Sequence, residues 1–150
     1  MGSEENKRAV FRCVDLFNQD TLEWADVSYS RDVVWTEVPG PLFPKGRSGG
    51  WSEFRAAAAR RLRFLPDQKL RVLHAAAEDG TVIFIQEWGG TAAAAAGGIK
   101  AGDRVSALIV TFFRLKDGLI VEHADYPIAG AGALCSEPGS RDTVRETEDR

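Results

Sequence analysis

Cysteine is scarce in this chain: two residues in 150, Cys13 and Cys135, with no Cys-x-x-Cys pair, and histidine is equally scarce, with only His74 and His123. That poverty excludes a disulfide framework and a standard zinc site, and both cysteines read as plain thiols. No apolar run approaches the roughly 20 residues that span a bilayer. The N-terminal stretch MGSEENKRAV is polar and acidic, so no membrane association is expected and the protein reads as cytoplasmic. Charge of one sign is lacking too. A formal net charge of -3 leaves no electrostatic footprint for nucleic acid, and Arg55, Arg60, Arg61 and Arg63 fall on what reads as an ordinary solvated helix. Nucleotide fingerprints are missing: GAGALC at Gly130 has too few glycines and no surrounding βαβ unit. The chemistry expected is therefore independent of a cofactor, with no metal; a divalent ion on Glu37, Asp125 and His123 is conceivable on ligand type alone.

What is present is a composition 44% hydrophobic and 27% charged, enough for one core in one domain over residues 1–131, with residues 132–150 composed like a flexible tail. Apolar residues at helical spacing predict a helix over 5–18, with Val10, Val14 and Phe17 inward. DTLE, placing Asp20 three residues before Glu23, looks like a capping box opening a second helix that buries Trp24 and Val27. A strand follows over 33–38. After the proline- and glycine-rich loop PGPLFPKGRSGG, Trp51, Phe54, Ala57, Ala58 and Leu62 define a third helix that stops before Pro66. Strands are expected over 69–78, 81–91, 104–115 and 119–128, with Asp-Gly pairs in EDG and KDG suited to tight hairpins. Helices first and a meander of long strands afterwards give an α+β pattern, three helices packed on a strongly curved, mostly antiparallel sheet. TAAAAAGG is low in complexity and reads as a hairpin tip.

Successive strand side chains point to opposite faces. Trp35 and Glu37 share one, and so do Val121, His123, Asp125 and Pro127. In the strand over 81–91, Ile83, Ile85, Glu87 and Gly89 alternate with Phe84, Gln86 and Trp88. His74, sharing a face with Leu70 and Val72, reads as a histidine packed on the sheet.

The order of elements, the W-x-E-x-P…GR strand and loop, and the closing DGLIVEHADY resemble the SnoaL-like branch of the nuclear-transport-factor-2-like superfamily, over about residues 7–128. The resemblance implies a cone-shaped α+β barrel with a deep pocket, a homodimer, and a hydrophobic small-molecule ligand. Against limonene-epoxide hydrolases, Trp35 and Glu37 fall where a Tyr and an Asn help hold water, and Asp125 matches the last-strand aspartate. The triad's Arg and second Asp fall near Glu87 and Gly89, so that mechanism is not carried over. Against ketosteroid isomerases the base position is Val38 and a hydrogen-bond donor lands near Thr111. The EHAD run resembles the last-strand acid/base of SnoaL-like polyketide cyclases.

The candidate catalytic residues are therefore Asp125, Glu37 and His123. Asp125 is a carboxylic acid whose pKa an apolar pocket would raise, and Glu37 is a second carboxyl that could share that pocket and split acid from base roles; a salt bridge from Glu37 to Lys45 or Arg47 is its structural alternative. His123 could shuttle a proton. Trp35, Glu87, Trp88 and Tyr126 are the candidate substrate-binding residues, as walls for an apolar ligand. The reading is an acid/base enzyme on a polyketide, terpenoid or steroid type molecule. The alternatives are a binding protein or a dimerisation module on the same fold.

Overall fold

The computed structural model describes residues 2–40 and 42–128; Cys135, the GAGALC segment and the expected tail lie outside them. Helix α1 (Ser3–Phe17) buries Asn6, Val10, Cys13, Val14 and Phe17, a stripe at three- and four-residue spacing. Its first turn is satisfied by Glu5, whose Oε1 accepts the Gly2 N–H at 2.9 Å. Beyond its end, Asn18 reads the backbone of Leu70 in both directions, donating to its carbonyl at 2.9 Å and accepting its N–H at 2.7 Å. That clamp fixes the helix on the sheet. Helix α2 (Glu23–Ser28) starts differently from the expected capping box: Leu22 occupies the N-cap, Asp20 sits at φ 62°, and the Glu23 N–H is taken by Thr21 Oγ1. The left-handed backbone at Asp20 carries its carboxylate away to Lys69, 2.8 Å distant. Helix α3 (Trp51–Phe64) buries Phe54, Ala57 and Ala58 and ends before Pro66.

Among the described residues, six strands form one sheet in the order β2-β1-β6-β5-β4-β3. They are β1 (Tyr29–Glu37), β2 (Arg47–Gly49), β3 (Lys69–Glu78), β4 (Thr81–Thr91), β5 (Arg104–Lys116) and β6 (Leu119–Pro127). Only β1 and β6 run parallel; the other neighbours are antiparallel. The three-residue β2 was not expected, because its Arg-Ser-Gly sequence carries no strand pattern. The KDG hairpin has positive φ at both Asp117 and Gly118, the two-residue turn whose twist matches that of the strands. In β4, Val82, Phe84, Gln86 and Trp88 are buried while Ile83 and Glu87 are exposed. A bulge between Val72 and His74 breaks the alternation in β3 and leaves His74 exposed rather than packed on the sheet.

The helices lie on the concave face of this curved, unclosed sheet. Between the two layers sits an aromatic cluster: Phe54 meets Tyr29 with ring centroids 4.5 Å apart and both Trp24 and Trp35 at 5.7 Å, and Phe84 meets Phe113 at 5.6 Å. No helix among the described residues is long and apolar enough to cross a membrane.

Candidate active site

Strand register sets the site. Arg47, Glu37, Asp125 and Thr111 stand abreast on β2, β1, β6 and β5, a polar row in which adjacent backbones are about 4.8 Å apart. Two residues along, Gly49, Trp35, His123 and Phe113 form a second row on the same face. The site is thus one stripe of charge lying beside one of rings.

Asp125 is the most heavily bonded member. Its Oδ1 accepts the Thr111 hydroxyl at 2.8 Å, and Thr111 in turn accepts Gln86 Nε2 at 2.9 Å. His123 Nε2 lies 3.0 Å from the same Oδ1, yet its N–H is not aligned with the oxygen and the nitrogen has no directed hydrogen bond. The contact is an ion pair only where the imidazole carries a proton on both nitrogens. The other ring nitrogen, Nδ1, is 2.7 Å from the Tyr29 hydroxyl. Oδ2 of Asp125 takes no hydrogen bond among the described residues, and Asp125 lines the cavity.

The electrostatics depart from the sequence expectation. Burial, the largest influence, pushes the Asp125 carboxyl up, but the His123 charge and N–H, the Thr111 hydroxyl and Arg61 together outweigh it and leave the pKa below the ordinary 3.8. Asp125 is therefore an ionised carboxylate at neutral pH. Burial, then Cys13 and Asp125, push Tyr29 well above 10, and burial pushes the Cys13 thiol up to about 12. Both stay protonated, so Cys13 is no nucleophile.

Glu37 is buried, but it does not share a proton with Asp125. Its Oε1 accepts Arg47 Nη2 at 2.7 Å, and Arg61 Nη2 approaches the same atom at 3.5 Å, the outer limit of a hydrogen bond. The role-splitting carboxyl pair gives way to an arginine pair on one carboxylate. Both guanidiniums are held by aromatic faces, Arg47 3.5 Å from the Phe43 ring centre and 5.1 Å from that of Trp35, Arg61 5.1 Å from that of Trp88.

These groups line a cavity of about 70 Å³ whose walls include Phe17, Trp24, Trp35, Phe54, Trp88 and Phe113. A smaller one, about 20 Å³, lies beside it and shares Arg61, Trp88, Ile109 and Asp125, with Glu37 on its wall. Of the residues expected from sequence, Asp125, His123, Trp35 and Trp88 converge on the main cavity and Glu37 on its neighbour. Glu87 and Tyr126 do not. Glu87 points outward to Arg71 at 2.6 Å, because the inward positions of β4 are the even-numbered ones, and Tyr126 is 46% exposed on the opposite face of β6 from Asp125. Neither lines this cavity or its neighbour. For the same reason Gln86 and Trp88, not Glu87 and Gly89, are the β4 positions that face the cavity.

Sequence reasoning missed Tyr29, Gln86, Arg47 and Arg61 as site residues. Tyr29 was missed because the strand was begun too late and because an irregularity between Tyr29 and Val34, with Arg31 exposed, interrupts the alternation that would lead back to it. Arg61 was hidden in an arginine-rich helix, where nothing local separates a cavity-facing guanidinium from solvated ones. Among the described residues, no three His, Cys, Asp or Glu side chains gather as a metal-binding group.

Among the described residues, three helices on an open, curved mixed sheet surround an apolar cavity with a hydrogen-bonded carboxylate on its wall. The SnoaL-like domain model matches residues 10–123, and the chain belongs to that family. Its solved structural neighbours share the fold. AclR from Streptomyces galilaeus, described as a candidate hydroxylase, superposes with a TM-score of 0.72 at 24% identity over 84% of this chain and 76% of that one. An LEH-like epoxide hydrolase from M. tuberculosis gives 0.66 at 16% identity, covering 84% of each chain. IdmH from Streptomyces antibioticus, a candidate polyketide cyclase, gives 0.68 at 20% over 81% of this chain and 91% of that one. Comparison with curated proteins returns no match.

Proposed function

We propose that this protein is a cofactor-independent acid/base enzyme acting on an apolar small molecule, with Asp125 as the group that exchanges a proton with it. The observation that carries the reading is the asymmetry of Asp125, which lines an aromatic cavity: Oδ1 accepts Thr111 and lies 3.0 Å from His123 Nε2, while Oδ2 takes no hydrogen bond among the described residues. Such a carboxylate is oriented by one oxygen and reactive through the other. His123 Nδ1 is held by the Tyr29 hydroxyl, which sets Nε2 at 3.0 Å from Asp125 Oδ1, so His123 serves to position Asp125. Cyclisation, isomerisation, dehydration and epoxide opening all fit a proton-exchanging carboxylate, and the polyketide cyclase and epoxide hydrolase neighbours support that range.

The test is turnover of a panel of polyketide, terpenoid and epoxide substrates by the wild type and Asp125→Asn. The expected result is that one class turns over and that D125N lowers kcat by at least 10²-fold, the scale of general acid/base catalysis, with ligand affinity kept. Tight binding without turnover would favour a second reading, a small-ligand carrier. What favours that reading is the size of the cavity: about 70 Å³ holds only a handful of waters, at roughly 10–15 Å³ each. We also propose a homodimer through the outer sheet face, where Leu73, Ile83 and Tyr126 are exposed.

A further inference from the structure

Among the described residues, Arg61, Trp88, Ile109 and Asp125 line both cavities. They are the partition between the two. Trp88, Ile109 and Asp125 belong to β4, β5 and β6, where ladder hydrogen bonds fix the backbone. Trp88 and Asp125 are tied by their side chains as well: Trp88 Nε1 donates to Gln68 at 2.9 Å, and Asp125 accepts the Thr111 hydroxyl at 2.8 Å. Arg61 alone stands on a helix, beside Ala57 and Ala58 on the cavity wall, whose methyl groups leave a long side chain room to move. Its hold on the partition is slight. The bond to Glu37 is 3.5 Å long, against 2.7 Å for Arg47 on the same oxygen, and the guanidinium lies 5.1 Å from the Trp88 ring centre, toward the far side of the roughly 6 Å reach of a cation–π contact. Arg47 also repels it: burial is the largest influence lowering the Arg47 pKa, and the Arg61 charge adds to it. At 26% side-chain exposure Arg61 already touches water, so turning outward regains hydration for a modest loss of contact.

We propose that Arg61 is a swinging gate: turned inward it divides the space beside Asp125 into two small cavities and bars entry, and turned outward it joins them and opens a way in from solvent. The need for a gate lies in the walls. Trp35, Phe54, Trp88 and Phe113 are each no more than 5% exposed. The main cavity, about 70 Å³, holds only a handful of waters at roughly 10–15 Å³ each, so a larger molecule enters by displacing part of the wall. Of the partition residues, Arg61 is the one whose displacement leaves the sheet intact. It also leaves Glu37 paired, because Arg47 stays on the shared oxygen. Glu37 is thus the catch that draws the gate shut, and Arg47 is the fixed cation that holds Glu37 charged while the gate is open. The inference concerns entry, and it stands whether or not Asp125 exchanges a proton with what enters.

The probe is N-phenyl-1-naphthylamine, an uncharged fluorophore that brightens in apolar surroundings, mixed with the protein by stopped flow. Opening that precedes entry makes the observed rate of wild-type binding level off as probe concentration rises. Arg61→Ala removes the gate, so its rate should climb linearly with concentration and exceed the wild-type plateau at least tenfold. Arg61→Met keeps a long side chain but loses the charge that draws it to water, so the plateau should remain and fall severalfold. A merely structural role would move both variants in the same direction. The proposal is overturned if the wild-type rate shows no plateau, if R61A levels off at the wild-type rate, if R61A and R61M shift the rate the same way, or if neither the wild type nor R61A binds the probe. A wild type that excludes the probe while R61A admits it supports the gate. Entry of the probe needs no turnover, so a D125N enzyme with full activity would remove Asp125 from its role and leave the gate standing.

Discussion

Two ion pairs of nearly identical length invite opposite predictions. Arg47–Glu37 spans 2.7 Å between side chains 18% and 8% exposed, whereas Arg71–Glu87 spans 2.6 Å between side chains 72% and 50% exposed. If distance governed the energy, Glu37→Gln and Glu87→Gln would cost the same. Burial governs instead. At the surface, water screens the attraction and replaces the lost partner, so E87Q should cost no more than about 1 kcal/mol. Removing the Glu37 charge leaves Arg47 with only a neutral amide and orphans the Arg61 contact as well. Breaking a buried pair from one side costs about 3–5 kcal/mol, and because Arg61 is 26% exposed and can turn to solvent, the expected figure here is about 2–4 kcal/mol. Urea unfolding is the assay, since guanidinium would screen the very interaction under test. Equal losses for the two variants, or a loss below about 1 kcal/mol for E37Q, would refute the argument that Glu37 is the buried counter-ion of an arginine pair.

Three further predictions follow from the same geometry. Tyr29→Phe keeps the ring among Trp24 and Phe54 but leaves His123 Nδ1 buried without its 2.7 Å partner; a loss of about 1–3 kcal/mol is expected in urea unfolding, and a loss under about 0.5 kcal/mol would show that the contact is not a working hydrogen bond. Asp125 has a folded-state pKa below the ordinary value, so the unfolded chain takes up its proton first: its contribution is fully present above the unfolded value of about 3.9 and is lost as pH falls through the folded one. The stability gap between wild type and D125N should accordingly shrink as pH falls below about 4, and a gap constant between pH 6 and 3 would contradict the shift. Light scattering on eluting protein should give twice the 16.4 kDa chain mass, with Tyr126→Glu shifting it toward one chain; a wild-type monomer removes the dimer.

What was legible in the sequence was whatever local pattern determines. β3 and β4 run over residues 69–78 and 81–91 as expected, because apolar content and the EDG turn bound them on both sides. The pairing of Trp35 with Glu37 and of His123 with Asp125 on inward faces came from alternation alone, and the register of β1 on β6 then set Trp35 beside His123 and Glu37 beside Asp125. Where alternation breaks, so did the reading. The bulge before His74 reversed its face; in β4, where alternation holds, Glu87 was offered to the cavity beside Trp88 although the two stand on opposite faces. The pKa direction of Asp125 failed for a related reason: burial can be guessed from an apolar strand, but the His123, Thr111 and Arg61 groups that overrule it arrive from other elements.

Glu37 shows most clearly how tertiary context decides a role. A carboxylate on an apolar strand suggests an acid or base when read along the chain, and a second carboxyl on the neighbouring strand strengthens that suggestion. Across the sheet the same residue has Arg47 on one side and Asp125 on the other, and the cation reaches it first. Its charge is spent on holding two guanidiniums in place. Arg47, so paired, keeps a buried Nε–H without an acceptor among the described residues. The residue that reads along the chain as a second catalytic acid is, across the sheet, the buried counter-ion of two arginines.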